Sequence, residues 1–214
     1  MLAKKLIHQR KRHANPSPIP AYRWPVLCPG GLHDGGDTVK FSRTWAMPNK
    51  NTFSIPPIRE FVLRYLHGVS VDPFARDCQL ANYTNDLNPE TTAQYHMHAV
   101  AFLEMLANKG VSADVVLFDP PYSPRQISEC YAAAGKKAGM VDTQNAALYA
   151  KCRTAIQNIC GPGSIVLSFG WNSCGIGKGW QTEEIMLVAH GGAHNDTICL
   201  AERKLPELQD KLKL

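Results

Sequence analysis

Four consecutive apolar residues, Val115-Val116-Leu117-Phe118, follow Asp114 and run without a break into Asp119-Pro120-Pro121-Tyr122. This junction constrains the fold more than any other stretch of the chain. A β-branched apolar run, preceded by Lys109-Gly110 and followed by two prolines, reads as a strand buried on both faces of a parallel sheet. Proline fixes φ and lacks an N–H donor, so neither a helix nor a ladder continues through Pro120-Pro121. Residues 119–122 are therefore expected to form a stiff turn at the carboxyl end of a central strand, where α/β sheets gather their ligands. Such a corner holds one carboxylate, one free peptide carbonyl and one aromatic ring in fixed positions, which suits recognition of a planar amine.

The surrounding pattern alternates strands and helices. After Pro56-Pro57, the residues Ile58, Phe61, Val62, Tyr65 and Leu66 recur at helical spacing until Gly68. Val69 and Val71 then predict a very short strand ending at Asp72, and Tyr83-Thr84-Asn85-Asp86 closes a second one. Pro89-Glu90 is expected to open a helix carrying Tyr95, Met97, Val100, Phe102, Leu103 and Leu106 as far as Lys109-Gly110. A helix from about Asn145 to Ile159 precedes the strand Ser164 to Phe169, and residues 123–145 read as a loop. Strands at Glu184 to Ala189 and Thr197 to Ala201 are joined by a turn-rich segment, His190 to Asp196, which predicts an antiparallel hairpin with a polar tip. The expected fold is α/β, a Rossmann-like sheet that is mostly parallel with an antiparallel C-terminal hairpin strand. Residues 1–43 form a basic, Pro/Gly-rich arm, and residues 44–214 the main domain.

With 214 residues, 44% of them hydrophobic, one domain can bury about two-thirds of its unfolded surface without disulfide or metal support. The seven cysteines are odd in number and scattered, and no Cys/His cluster has metal-ligand spacing, so reduced thiols, a cytoplasmic location and no metal are expected. His190 and His194 lack a nearby Cys or Glu that would complete a tetrahedral set. No apolar run reaches the roughly 18 residues of a membrane span, so no membrane partner is expected. The net charge of +5, concentrated at Lys4, Lys5, Arg10, Lys11 and Arg12, is compatible with a polyanionic partner.

The tetrapeptide Asp119-Pro120-Pro121-Tyr122 resembles the catalytic motif of amino-methylating DNA methyltransferases, in the form favoured by the enzymes that act on adenine N6. The resemblance implies S-adenosylmethionine as cofactor and DNA as partner. It implies that Asp119 and the Pro120 carbonyl accept hydrogen bonds from the adenine amino group, that Pro121 stiffens the corner, and that Tyr122 stacks on the base. Because that amino group faces a groove in duplex DNA, the target must be flipped out or already single-stranded.

The cofactor half follows the same resemblance. Thr52-Phe53-Ser54-Ile55-Pro56-Pro57-Ile58, a helix, then Asp72-Pro73-Phe74-Ala75 is similar in order and spacing to the family's cofactor-binding segment and cofactor loop. It implies cofactor contacts from Phe53, Ser54, Ile55, Pro56, Asp72, Pro73, Phe74 and Ala75. Asp86, with Leu87 and Asn88 behind it, falls where the ribose-binding acid belongs, and His98 where relatives often place an acid that meets the cofactor's adenine. Where the family continues with Gly-x-Gly, this chain has Arg76-Asp77-Cys78, and only about a dozen residues separate Phe74 from Asp86.

The motifs cover roughly residues 44 to 204 and leave no insertion for a separate target-recognition domain, a small form resembling phage-borne enzymes. Candidate nucleic-acid contacts are Ser123, Arg125, Gln126, Lys136 and Lys137 after the catalytic loop, with Trp171 and Asn172 on a neighbouring strand end. The tetrapeptide selects a planar amine more surely than the molecule that carries it. Cytosine N4, RNA or a protein amide as acceptor, and a non-catalytic nucleic-acid-binding homologue, stand as alternatives. The oligomeric state is not legible.

Overall fold

The structure, a computed structural model, describes residues 38–135, 145–192 and 194–206. Its elements are β1 (Lys40–Trp45), α1 (Pro56–Tyr65), β2 (Ser70–Asp72), β3 (Tyr83–Thr84), α2 (Ala99–Asn108), β4 (Ala113–Phe118), α3 (Pro124–Ala133), α4 (Asn145–Ile159), β5 (Cys160–Gly170), β6 (Trp180–Ala189) and β7 (Thr197–Lys204). They build a seven-stranded sheet in the order β1-β6-β7-β5-β4-β2-β3. Every neighbouring pair is parallel except those of β7, which runs antiparallel to both β5 and β6. This is the Rossmann-like α/β sheet expected from the sequence, with its antiparallel strand supplied by the C-terminal hairpin.

The uninterrupted apolar run of β4 is explained by burial on both faces. Side chains alternate across a strand, so Val115 and Leu117 meet α1 through Ile58, Phe61 and Val62. Val116 and Phe118 meet α2 and α4 through Phe102, Leu103, Leu106 and Ile156. Val115, Val116 and Leu117 expose nothing to solvent; full burial of one such side chain contributes about 1.5–3 kcal/mol. α1 starts on prolines at its first positions, where a missing N–H costs nothing. It ends before Gly68, whose φ is +54°; a Cβ there would lie 2.0 Å from Asp114 Oδ2, the oxygen that accepts from Val69 N at 2.7 Å.

Four expectations about individual elements and residues are corrected. The helix expected from Pro89 begins only at Ala99, because the preceding residues are drawn to the sheet edge: Tyr95 N donates to Thr84 O and Asp86 N to Tyr95 O, each at 3.0 Å. His98 then caps α2, its Nδ1 accepting from Val100 N at 3.3 Å. Part of the loop expected over 123–145 is α3, capped by Ser123, whose hydroxyl accepts from Gln126 N at 3.2 Å. The strand expected from Ser164 starts at Cys160, with a register shift opposite Ala113 and Val115. His190 is not part of a polar tip: it is buried, with Nδ1 2.8 Å from Ala46 O and Nε2 2.9 Å from Thr197 Oγ1, and it ties the end of β1 to the hairpin. The boundary drawn between residues 43 and 44 falls inside β1, which pairs with β6 along its full length.

Candidate active site

The carboxyl ends of β2, β3 and β4 open onto one cavity of about 970 Å³, large enough for a nucleoside cofactor and a base together. Asp119, Pro120, Pro121 and Tyr122 form one wall after β4. Phe74 and Ala75 after β2, and Asp86 and Asn88 after β3, form another. Thr52, Phe53 and Ser54, from the short helical turn before α1, close a third side.

The 119–122 corner is held from several directions. Tyr122 Oη donates to Asp119 Oδ1, and Thr52 offers the same carboxylate a side-chain hydrogen bond. Burial raises the Asp119 carboxyl above its usual range, and the hydrogen bonds from Tyr122 and Thr52 and the charge of Arg76 only partly oppose it. Burial and the neighbouring Asp119 carboxylate push the Tyr122 phenol far upward, so it stays a protonated donor. Tyr122 N donates to Gln126 Oε1 at 2.6 Å, which fastens the corner to the first turn of α3. From the other side, Tyr149 of α4 reaches the Pro121 carbonyl at 3.4 Å, and burial pushes its phenol up to about 12. The ring of Trp171, just past β5, lies 5.5 Å from that of Tyr122 at an interplanar angle of 43°.

On the opposite wall, Asp86 Oδ1 accepts from Asn88 N at 2.8 Å and Oδ2 from Arg76 N at 3.1 Å. Asp72 is wholly buried beneath this wall rather than in it. Its Oδ1 accepts from Phe74 N at 3.0 Å, while Oδ2 has no hydrogen-bond partner among the described residues. Burial raises its carboxyl strongly, the Phe74 bond opposes this, and the charges of Asp119 and Asp86 add to it. Ile55 belongs to the core beside α1, and Pro56 is the first residue of that helix, so both shape the segment without lining the cavity. Pro73, Leu87 and His98 surround a separate pocket of about 50 Å³ that shares Phe74, Asp86 and Pro121 with the main cavity.

The residues expected at nucleic acid divide. Gln126 lines the main cavity with its carbonyl turned to Tyr122, and Ser123 caps α3. Arg125 is exposed and pairs with Glu129 at 2.8 Å. Asn172 is exposed, its Oδ1 accepting from Cys174 N at 3.2 Å. Lys136 and Lys137 lie outside the described residues, as does most of the arm. Thr52 opens the expected cofactor segment without having been given a contact of its own, and Lys50, Arg76, Cys130 and Tyr149 were missed as site residues. Of these, only Arg76 carried a sequence signal, as a large residue where glycine was anticipated. Among the described residues, no group of His, Cys, Asp and Glu is placed to hold a metal ion, and no helix is long and apolar enough to cross a membrane.

The fold and the site define an α/β protein with a nucleoside-sized cavity at the carboxyl ends of its parallel strands. No family model matches the chain, and no curated protein matches it by sequence. Solved structures similar in backbone include TrmN from Thermus thermophilus, with a TM-score of 0.42 at 16% identity over 71% of this chain and 49% of that one. SMU.776, in a structure complexed with SAH, aligns with a TM-score of 0.45 at 11% identity over 63% and 44% of the two chains. A SAM-dependent methyltransferase from Agrobacterium tumefaciens gives 0.40 at 10% identity over 69% and 59%. The chain thus spans about half the length of these proteins, and the likeness is one of backbone arrangement.

Proposed function

We propose that this protein transfers a methyl group from S-adenosylmethionine to the N6 amino group of adenine in DNA, with the target base flipped out or single-stranded. The observation that carries the reading is that Asp119, at the end of a rigid corner, shares one cavity with Phe53, Phe74 and Asp86. A nucleoside cofactor fits the residues present. Phe53 and Phe74 offer apolar surface, and each Asp86 oxygen, engaged by one backbone N–H, retains acceptor capacity for ribose hydroxyls. When bound, the cofactor supplies an electrophilic methyl on a good leaving group.

The chain's own part is positional. Asp119 accepts a hydrogen bond from the target amine, displacing the Tyr122 phenol that donates to it in this structure. The amine lone pair is thereby localised away from the ring and aimed along the line of transfer. The Asp119 carboxylate also stabilises the positive charge that develops on nitrogen. Its raised proton affinity lets it take the proton shed after transfer and pass it to water. Freed from Asp119, Tyr122 stacks on the extruded base with Trp171 behind it.

The test is incubation with isotopically labelled S-adenosylmethionine and DNA, followed by nucleoside mass spectrometry. N6-methyladenine is expected. Label recovered only in N4-methylcytosine, RNA or protein would overturn the acceptor, and no transfer to any of them would overturn the activity.

A further inference from the structure

Arg76 directly follows Phe74-Ala75 and has a φ of +52°, the one positive value among the described non-glycine residues. That left-handed conformation suits glycine and is costly for a residue with a Cβ, so local propensity does not account for an arginine here. Its backbone N–H holds Asp86 Oδ2, and its Nη1 reaches over to donate to Lys50 O at 3.1 Å. Arg76 lines the main cavity, and among the described residues no carboxylate forms an ion pair with its guanidinium. A guanidinium carries five N–H donors in a planar fork matched to oxyanions, and the Lys50 bond occupies one of them. The positive charge lies close enough to Asp119 to lower the proton affinity of its carboxyl.

On the methyltransferase reading above, two acids of this cavity have tasks: Asp86 for ribose and Asp119 for the amine. The cofactor itself carries a sulfonium, an ammonium and a single anionic group. We infer that Arg76 is a cofactor-binding residue that clamps the carboxylate of the cofactor's amino acid portion, in place of the close backbone approach a glycine would allow. The Lys50 tether restricts the fork before the ligand arrives, so less side-chain freedom is lost on binding.

Isothermal calorimetry with the wild type, Arg76→Gly and Arg76→Lys tests this, using two probes: S-adenosylhomocysteine, and 5′-methylthioadenosine, which has the same nucleoside but no carboxylate. Arg76→Gly suits the backbone, so it should fold. It is expected to weaken S-adenosylhomocysteine about tenfold, the scale of one charge-assisted hydrogen bond, and to leave 5′-methylthioadenosine unchanged. Arg76→Lys should fall between. Equal loss for both probes would mean that Arg76 merely supports the cavity wall, and loss for neither would remove it from the cofactor site; either result overturns the inference while the methyltransferase reading stands. Weakened DNA binding with intact S-adenosylhomocysteine affinity would assign the fork to a target phosphate and overturn it too. If the wild type binds neither probe, the cofactor reading itself is lost, and this inference with it.

Discussion

Asp119→Asn separates the chemical task of the corner from its structural one. The wild-type carboxylate accepts from Tyr122 and, through its side chain, from Thr52. Asparagine keeps one acceptor oxygen but loses the charge and puts a donor amide in place of the second oxygen. If Asp119 stabilises charge developing on the target nitrogen, loss of its negative charge and of one acceptor oxygen should cost about 2.7–4 kcal/mol in the transition state, or a hundredfold to a thousandfold in kcat. Stability should move the other way. Burial raises the Asp119 carboxyl above its ordinary value of 3.8 despite its hydrogen bonds, so the folded protein binds that proton more tightly than the unfolded chain does. The wild type therefore loses stability as pH rises from 3.8 through the raised value, and the amide of the variant, which does not titrate, escapes that loss. Tm of the variant should equal or exceed that of the wild type at pH 8, with the gap closing below about pH 4. Methyl transfer from labelled S-adenosylmethionine and thermal melts at both pH values measure the two effects. Turnover within about threefold of wild type, or a Tm several degrees lower at pH 8, would refute the assignment.

Two further outcomes follow from the same geometry. Asp72→Asn keeps an acceptor for Phe74 N and removes a wholly buried carboxylate with an unpartnered oxygen. The raised carboxyl means that wild-type stability is fully present below 3.8 and declines above it, so this variant should melt higher than wild type in alkaline buffer and alike near pH 3. Gln126→Leu leaves the part-buried Tyr122 N without its acceptor; full burial of such an orphaned donor costs about 1–3 kcal/mol, and partial burial less. It is expected to lower kcat about tenfold with unchanged S-adenosylhomocysteine affinity, whereas Gln126→Glu, which keeps the acceptor, should recover most of the rate in the same steady-state assay.

The sequence by itself determined the features that depend on neighbouring residues. A β-branched run ended by Pro120-Pro121 has few options besides a buried strand and a stiff corner, and β4 with its turn is found there. Pro56-Pro57 with apolar residues at helical spacing marks α1, and the turn-rich segment between two apolar runs marks the β6–β7 hairpin. Where distant atoms competed with local preference, only tertiary structure decided. Tyr95 is pulled from helix to sheet edge by the backbone of Thr84 and Asp86, and β1, whose alternate residues stay exposed, owes its place to β6. α3 carried a capping signal in Ser123-Pro124 but buries little besides Ile127, so hydrophobic periodicity was too weak to show it. The site divides the same way: its motifs were legible, but Gln126 meeting Tyr122, Tyr149 meeting Pro121 and Arg76 meeting Lys50 join segments whose approach is fixed by the packed sheet and helices, which no local pattern encodes.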